Sequence, residues 1–131
     1  MLTKQQFVAL SNFRFQLTRF HRFSEHAAHL AGITPTQYLL LLHIRGYAGR
    51  DWAAVGELAE RLQSSPHGTA ALIQRCIAAG LVKKRRSRED ARRMEVHLTA
   101  RALKLVDKIA AQHRDELQSL RNIFQVMTHV S

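Results

Sequence analysis

Acidic side chains are scarce: ten Asp and Glu stand against twenty Lys and Arg, a formal charge of +10 with histidine neutral. Such an excess attracts polyanions over several ångströms, so a nucleic acid or an anionic membrane surface is the expected class of partner. Cysteine occurs once, which excludes an internal disulfide. No apolar run approaches the roughly 20 residues a membrane-spanning helix needs. The opening MLTKQQF lacks the order of a secretory signal, and the cytoplasm is the expected compartment. A glycine-rich phosphate loop is missing, as is a nucleophile with an obvious base, so neither an enzyme nor a cofactor is expected. Proline appears only twice, at Pro35 and Pro66, and each follows a Ser or Thr that can cap a helix.

The 131 residues are enough for one domain with its own core, and a single domain over 1–131 is expected. From Gln5 to Leu30 the apolar residues Phe7, Leu10, Phe13, Leu17, Phe20, Ala27 and Leu30 recur at helical spacing. Phe15 and Phe23 widen that stripe beyond what one small neighbour would cover, which points to a subunit contact. Thr34 and Pro35 then open a second helix ending near Gly46, whose run Tyr38 to Leu42 is apolar on nearly every side and belongs in the middle of the fold. Trp52 reads as a partly buried packing residue. A third, short helix spans Val55 to Leu62 with Leu58, Ala59 and Leu62 facing inward.

The next helix is capped by Ser64 or Ser65, starts at Pro66 and stops at Gly80. Its spacing turns Thr69, Leu72, Ile73, Cys76 and Ile77 inward and leaves His67, Gly68, Ala71, Gln74, Arg75 and Ala78 outward. Cys76 is therefore read as a small core hydrophobe. Strands follow at Leu81 to Ser87 and Met94 to Leu98, joined by a charged turn at 88–93. Seven of the twenty basic residues fall between Lys83 and Arg93. Thr99 opens the last helix, where Leu103, Val106, Ala110, His113, Leu117, Leu120, Phe124 and Met127 keep a three-four spacing like that of a coiled-coil seam. A helix of about 28 residues would be roughly 40 Å long, more than one small domain covers, so it too calls for a second chain.

A capped helix delivered beside a basic β-hairpin is the way a winged helix-turn-helix holds duplex DNA. The expected fold is mainly α with a small β-hairpin, a winged helix-turn-helix with long N- and C-terminal dimerisation helices. The order of elements resembles the MarR (multiple antibiotic resistance regulator) family of winged-helix transcription factors. The likeness is carried by GITPTQYLLLLHI at Gly32 to Ile44, VGELAERL at Val55 to Leu62, IAAGLVKKR at Ile77 to Arg85, Asp90-Ala91-Arg92 and Leu98-Thr99. Its departures are Ala102 in place of a common glycine, Cys76 where leucine is frequent, and Ala71 where a longer polar residue is frequent. The chain also stops at Ser131, so any further pairing helix is expected to be short or absent.

The resemblance implies a DNA-binding lobe over 33–99 and a helical dimerisation region over 1–32 and 100–131. It places the helix from Ser65 to Ala79 in the major groove, with Ser64, Ser65, His67, Gly68 and Thr69 at its phosphate-facing start and Gln74 and Arg75 within reach of bases or phosphates. In the wing, Arg92 is the foremost candidate for a minor-groove or phosphate contact, with Asp90 bracing its guanidinium and Arg85, Arg86, Arg88 and Arg93 around it. Dimerisation is assigned to Phe7, Leu10, Phe13, Leu17, Leu117, Leu120, Phe124 and Met127. The implied partners are double-stranded DNA and a second copy of the chain, with a small aromatic effector as the family's usual ligand, and no membrane. His21, His26 and His29 share one helix, but no carboxylate or cysteine completes a metal set, and they read as surface residues. A winged-helix module that binds protein or RNA without operator specificity is the alternative reading.

Overall fold

The computed structural model describes residues 1–114 together with Gln118 and Arg121. Among these described residues, five helices and three strands follow in the order α1 Lys4–Leu30, α2 Pro35–Arg45, β1 Trp52–Ala53, α3 Val55–Leu62, α4 Pro66–Ala78, β2 Val82–Arg86, β3 Met94–Leu98 and α5 Ala100–Gln112.

Side-chain caps set where four of the helices begin. Thr3 and Gln6 exchange bonds across the start of α1, with the Gln6 N–H donating to Thr3 Oγ1 and the Thr3 N–H to Gln6 Oε1. Thr34 and Gln37 repeat this reciprocal capping box at α2. Ser65 accepts from the Gly68 N–H at 3.0 Å, and Pro66 then occupies a first-turn position where a proline costs no hydrogen bond. Thr99 Oγ1 accepts from the Ala102 N–H and donates to the Gly80 carbonyl, tying the start of α5 to the end of α4. Gly80 itself has a φ of +73°, a left-handed conformation in which a side chain would be strained.

The sheet order is β1-β3-β2, antiparallel throughout. Val82 lies opposite Leu98, Lys83 opposite His97, Lys84 opposite Val96 and Arg85 opposite Glu95, while Trp52 lies opposite His97 on the other side of β3. Alternation then sorts the residues: Ala53, Val82, Val96 and Leu98 enter the core, and Trp52, Lys83, Arg85, Glu95 and His97 share the outer face. The two-residue strand β1 is too short to show any periodicity, and the sequence predicts only a loop there.

Tyr38, Leu40, Leu41 and Ile44 of α2 are buried among Leu58, Leu72, Ile73, Cys76, Leu81, Val96, Val106 and Ile109, so α2 does run through the middle. Only Leu39 of its apolar run stands out into solvent. In α1 the buried residues are Ala27 and Ala28, which lie against the rest of the core at the helix's C-terminal end. Leu10, Phe13, Leu17 and Phe20 are half-covered, whereas Phe7 (56% exposed), Phe15 (58%), Phe23 and Leu30 remain open.

The inner line of α5 differs from the predicted seam. Ala102, Val106, Ile109 and His113 are buried, while Leu103 and Ala110 are exposed. The helix is rotated so that its neighbours α2 and β3 meet a line beginning one residue earlier than the apolar spacing suggested. Leu117, Leu120, Phe124 and Met127 lie outside the described residues, as does the far end of the predicted 28-residue helix. His113 ends α5 in an aromatic setting, stacked on Tyr38 and edge-on to Phe20 and Phe23, with its Nδ1 2.6 Å from the Ile109 carbonyl oxygen.

Candidate nucleic-acid interface

The outward face of α4 carries His67, Ala71, Gln74, Arg75 and Ala78, all exposed. Ser64 and Ser65 flank its start and are open to solvent. Gly68 keeps them close: a Cβ built there would stand 3.1 Å from Ser65 Oγ and 3.3 Å from Ser64 Oγ. This helix end therefore gathers two hydroxyls and the His67 amide, Pro66 having no N–H and the Gly68 N–H being taken by Ser65 Oγ, a suitable seat for a phosphate oxygen.

Thr69 does not belong to that surface. It is 1% exposed, and its Oγ1 is buried with no hydrogen-bond partner among the described residues. Its place among phosphate contacts is corrected by the same helical spacing that sent it inward with Leu72, Ile73 and Cys76. Cys76 is fully covered, and burial pushes its thiol up to about 11, against a small opposing pull from Arg75.

The wing tip is closed by its own backbone. The Ser87 N–H donates to the Arg93 carbonyl at 2.9 Å and the Arg93 N–H to the Asp90 carbonyl at 3.0 Å, while Ser87 Oγ accepts from the N–H groups of Glu89 and Asp90. Asp90 Oδ1 accepts from the backbone N–H of Arg92 at 3.0 Å. The aspartate thus shapes the turn, an Asx-type arrangement, and does not brace the Arg92 guanidinium as the sequence suggested. A backbone donor two residues away is already positioned by the turn, whereas holding the guanidinium would require ordering a long flexible side chain. Arg86 donates to the Ala91 carbonyl and is partly spent on the turn. Arg88 and Arg92 are exposed and form no ion pair among the described residues.

A group that sequence reasoning left unassigned anchors the wing. Arg50 pairs with Glu57, and its guanidinium lies 3.9 Å from the Trp52 ring centroid and 4.4 Å from that of Tyr47. Glu57 also accepts from Tyr47 Oη at 2.7 Å and from the Ala54 N–H at 2.8 Å, which caps α3. Burial alone would raise the Glu57 carboxyl, but the bonds from Tyr47, Ala54 and Arg50, with the Arg50 charge, outweigh it and hold the group at about 2. Arg93, at the end of the wing turn, reaches the same Trp52 ring at 5.2 Å. The signals in the sequence were Trp52 in the loop before α3 and Glu57 at the third position of α3.

His21, His26 and His29 are all exposed on α1. Among the described residues no three His, Cys, Asp or Glu side chains converge as metal ligands, and no helix is long and apolar enough to cross a membrane.

Residues 31–93 match the model of the MarR family. A search of curated proteins finds no significant match. Among solved structures, the fold is similar to that of AbsC, a MarR family transcriptional regulator from Streptomyces coelicolor, at 23% identity over 97% of this chain and 83% of that one, with a TM-score of 0.72. A mutant of S. aureus MepR bound to an oligodeoxyribonucleotide matches at 20% identity over 86% of this chain and 80% of its own, TM-score 0.68. Apo MarR from E. coli matches at 18% identity over 86% and 90%, TM-score 0.68.

Proposed function

With a MarR-family domain over residues 31–93 and the fold of MarR-family transcriptional regulators as its premise, we propose that this protein is a sequence-specific double-stranded DNA-binding regulator. It acts as a homodimeric repressor on a pseudo-palindromic operator, released by a small-molecule effector. The observation that carries the reading is the pairing of an open helix face, His67 to Arg75, with a neighbouring wing whose Arg88 and Arg92 are free of ion pairs among the described residues. Helix α4 supplies an N-terminal phosphate seat and two long polar side chains, Gln74 and Arg75, for the major groove. The wing supplies charge for the backbone or the minor groove. The MepR structure with a bound oligodeoxyribonucleotide supports this use of the fold.

Dimerisation rests on the uncovered apolar side chains of α1. Phe7, Phe15 and Phe23 are far more exposed than a solitary domain normally leaves three phenylalanines on one helix. A two-fold axis would space two α4 helices about one turn of duplex apart.

Selection of bound duplexes from a random library tests the proposal directly. A recovered palindromic consensus, bound with a steep negative dependence on salt, is the expected result. Binding that ignores sequence, or that prefers structured RNA, would instead favour the module without operator specificity.

A further inference from the structure

The outer face of the sheet forms one wall of a cavity of about 410 Å³ at the root of the wing. Arg45 from the end of α2, Lys83 and Arg85 from β2, and His97 from β3 line it, with Asp51 at the loop before β1 and Leu98 and Leu103 as its apolar part. Lys83 and Arg85 stand on the same face of one strand, about 7 Å apart at the ordinary strand rise. Neither forms an ion pair among the described residues. Arg45 approaches Asp107 only at 3.9 Å, and both are largely solvated, so that pairing holds its charge weakly. His97 is held by Glu95 at 2.9 Å. Three cationic side chains against one carboxylate, around a pocket with a leucine floor, is the lining expected for a small anion with an apolar body.

Leu103 strengthens this. It is 39% exposed between Arg101 and Lys104 of α5, and the inward rotation of the helix that buries Ala102 is what turns it toward the cavity. An aryl or alkyl phosphate offers apolar surface for this leucine to cover, whereas inorganic phosphate offers none.

We propose that this cavity is a binding site for a small phosphate monoester, its dianion held between Lys83 and Arg85 with help from Arg45, and its organic group lying on Leu103. The site lies on the face of the sheet that looks away from the core, apart from the exposed face of α4 and from the tip at 88–93. Arg85 is shared with the proposed DNA surface, so occupancy lowers the wing's charge and weakens duplex binding; that consequence alone rests on the DNA-binding reading.

Calorimetric titration of the full chain with phenyl phosphate, and separately with inorganic phosphate, tests the site without DNA. Wild type should bind phenyl phosphate saturably, one per chain, and more tightly than inorganic phosphate. Lys83→Gln and Arg85→Gln should each weaken phenyl phosphate about tenfold, the loss of one charge-assisted bond. Leu103→Ala should weaken phenyl phosphate severalfold and leave inorganic phosphate unchanged. Arg22→Gln, which removes the same charge from exposed α1, should change neither. Equal losses in Arg22→Gln and Lys83→Gln, an unaltered affinity in Leu103→Ala, or no saturable heat at millimolar probe would each overturn the proposal. A second titration, of duplex with and without phenyl phosphate, isolates the regulatory consequence: an occupied site that leaves duplex affinity unaltered refutes the coupling and keeps the site.

Discussion

The Arg93 guanidinium lies 5.2 Å from the centroid of the Trp52 ring, which also carries Arg50 at 3.9 Å. One aromatic ring thereby joins the descending end of the wing to the Arg50–Glu57 pair at the start of α3. Through that joint the wing's angle relative to α4 is held by side chains that need not touch a ligand themselves.

Removing the ring should therefore loosen the wing. Trp52→Ala is expected to weaken operator binding by about tenfold, the scale of one or two lost cation–π contacts, and to speed amide exchange between Arg86 and Met94. Trp52→Phe should retain most of both. Unchanged exchange in Trp52→Ala, followed by mass spectrometry, would show that the ring does not hold the wing.

Arg92 is expected to act through charge. Arg92→Ala should lower duplex affinity broadly across sequences and reduce the salt slope by about one unit, because one phosphate contact is lost. Fluorescence anisotropy over a range of salt concentrations reads both effects. A change confined to single base positions would place Arg92 on bases instead.

Thr69 separates packing from recognition. Its hydroxyl is buried without a partner, so Thr69→Val should leave stability unchanged or raise it by about 1 kcal/mol while duplex affinity stays at the wild-type level. Ser65→Ala, which deletes the cap, should cost about 1 kcal/mol. Urea denaturation of the two variants checks the contrast, and a loss of duplex affinity in Thr69→Val would return Thr69 to the interface.

Acid should strip away the contribution of Glu57. Its folded carboxyl is held at about 2, below the ordinary 4.5, so the unfolded chain takes up the proton first as pH falls. The stabilisation is complete above about pH 5 and is lost progressively toward pH 2. Glu57→Gln should consequently be less stable than wild type at pH 7 by about 1–2 kcal/mol, with the gap closing in that acid window. A gap independent of pH would assign the cost to packing.

Cys76 should resist thiol reagents in the folded protein. It is buried, and its thiol is pushed up to about 11, so almost no thiolate exists at neutral pH. Reaction with an aromatic disulfide should appear only on unfolding; rapid modification of the native protein would contradict the inward placement of α4.

Local chemistry made much of this molecule legible from residues alone. The caps at Thr34, Ser65 and Thr99, the prolines after the first two, and the stop at Gly80 delimit helices because each satisfies backbone groups within a few residues of itself. The same holds for β3, whose Met94–Leu98 bounds follow from alternation, and for the inward side of α4, including Cys76. Other features depend on how distant segments are rotated against each other. Whether Leu103 or Ala102 faces the core and which arginine finds Trp52 are decided only when α2, α5 and the sheet meet. The charge concentrated between Lys83 and Arg93 was visible from the start, but its division was not. Strand alternation and the closing of the turn send Lys83 and Arg85 to a cavity, Arg93 to an aromatic ring, and Arg88 and Arg92 to open solvent.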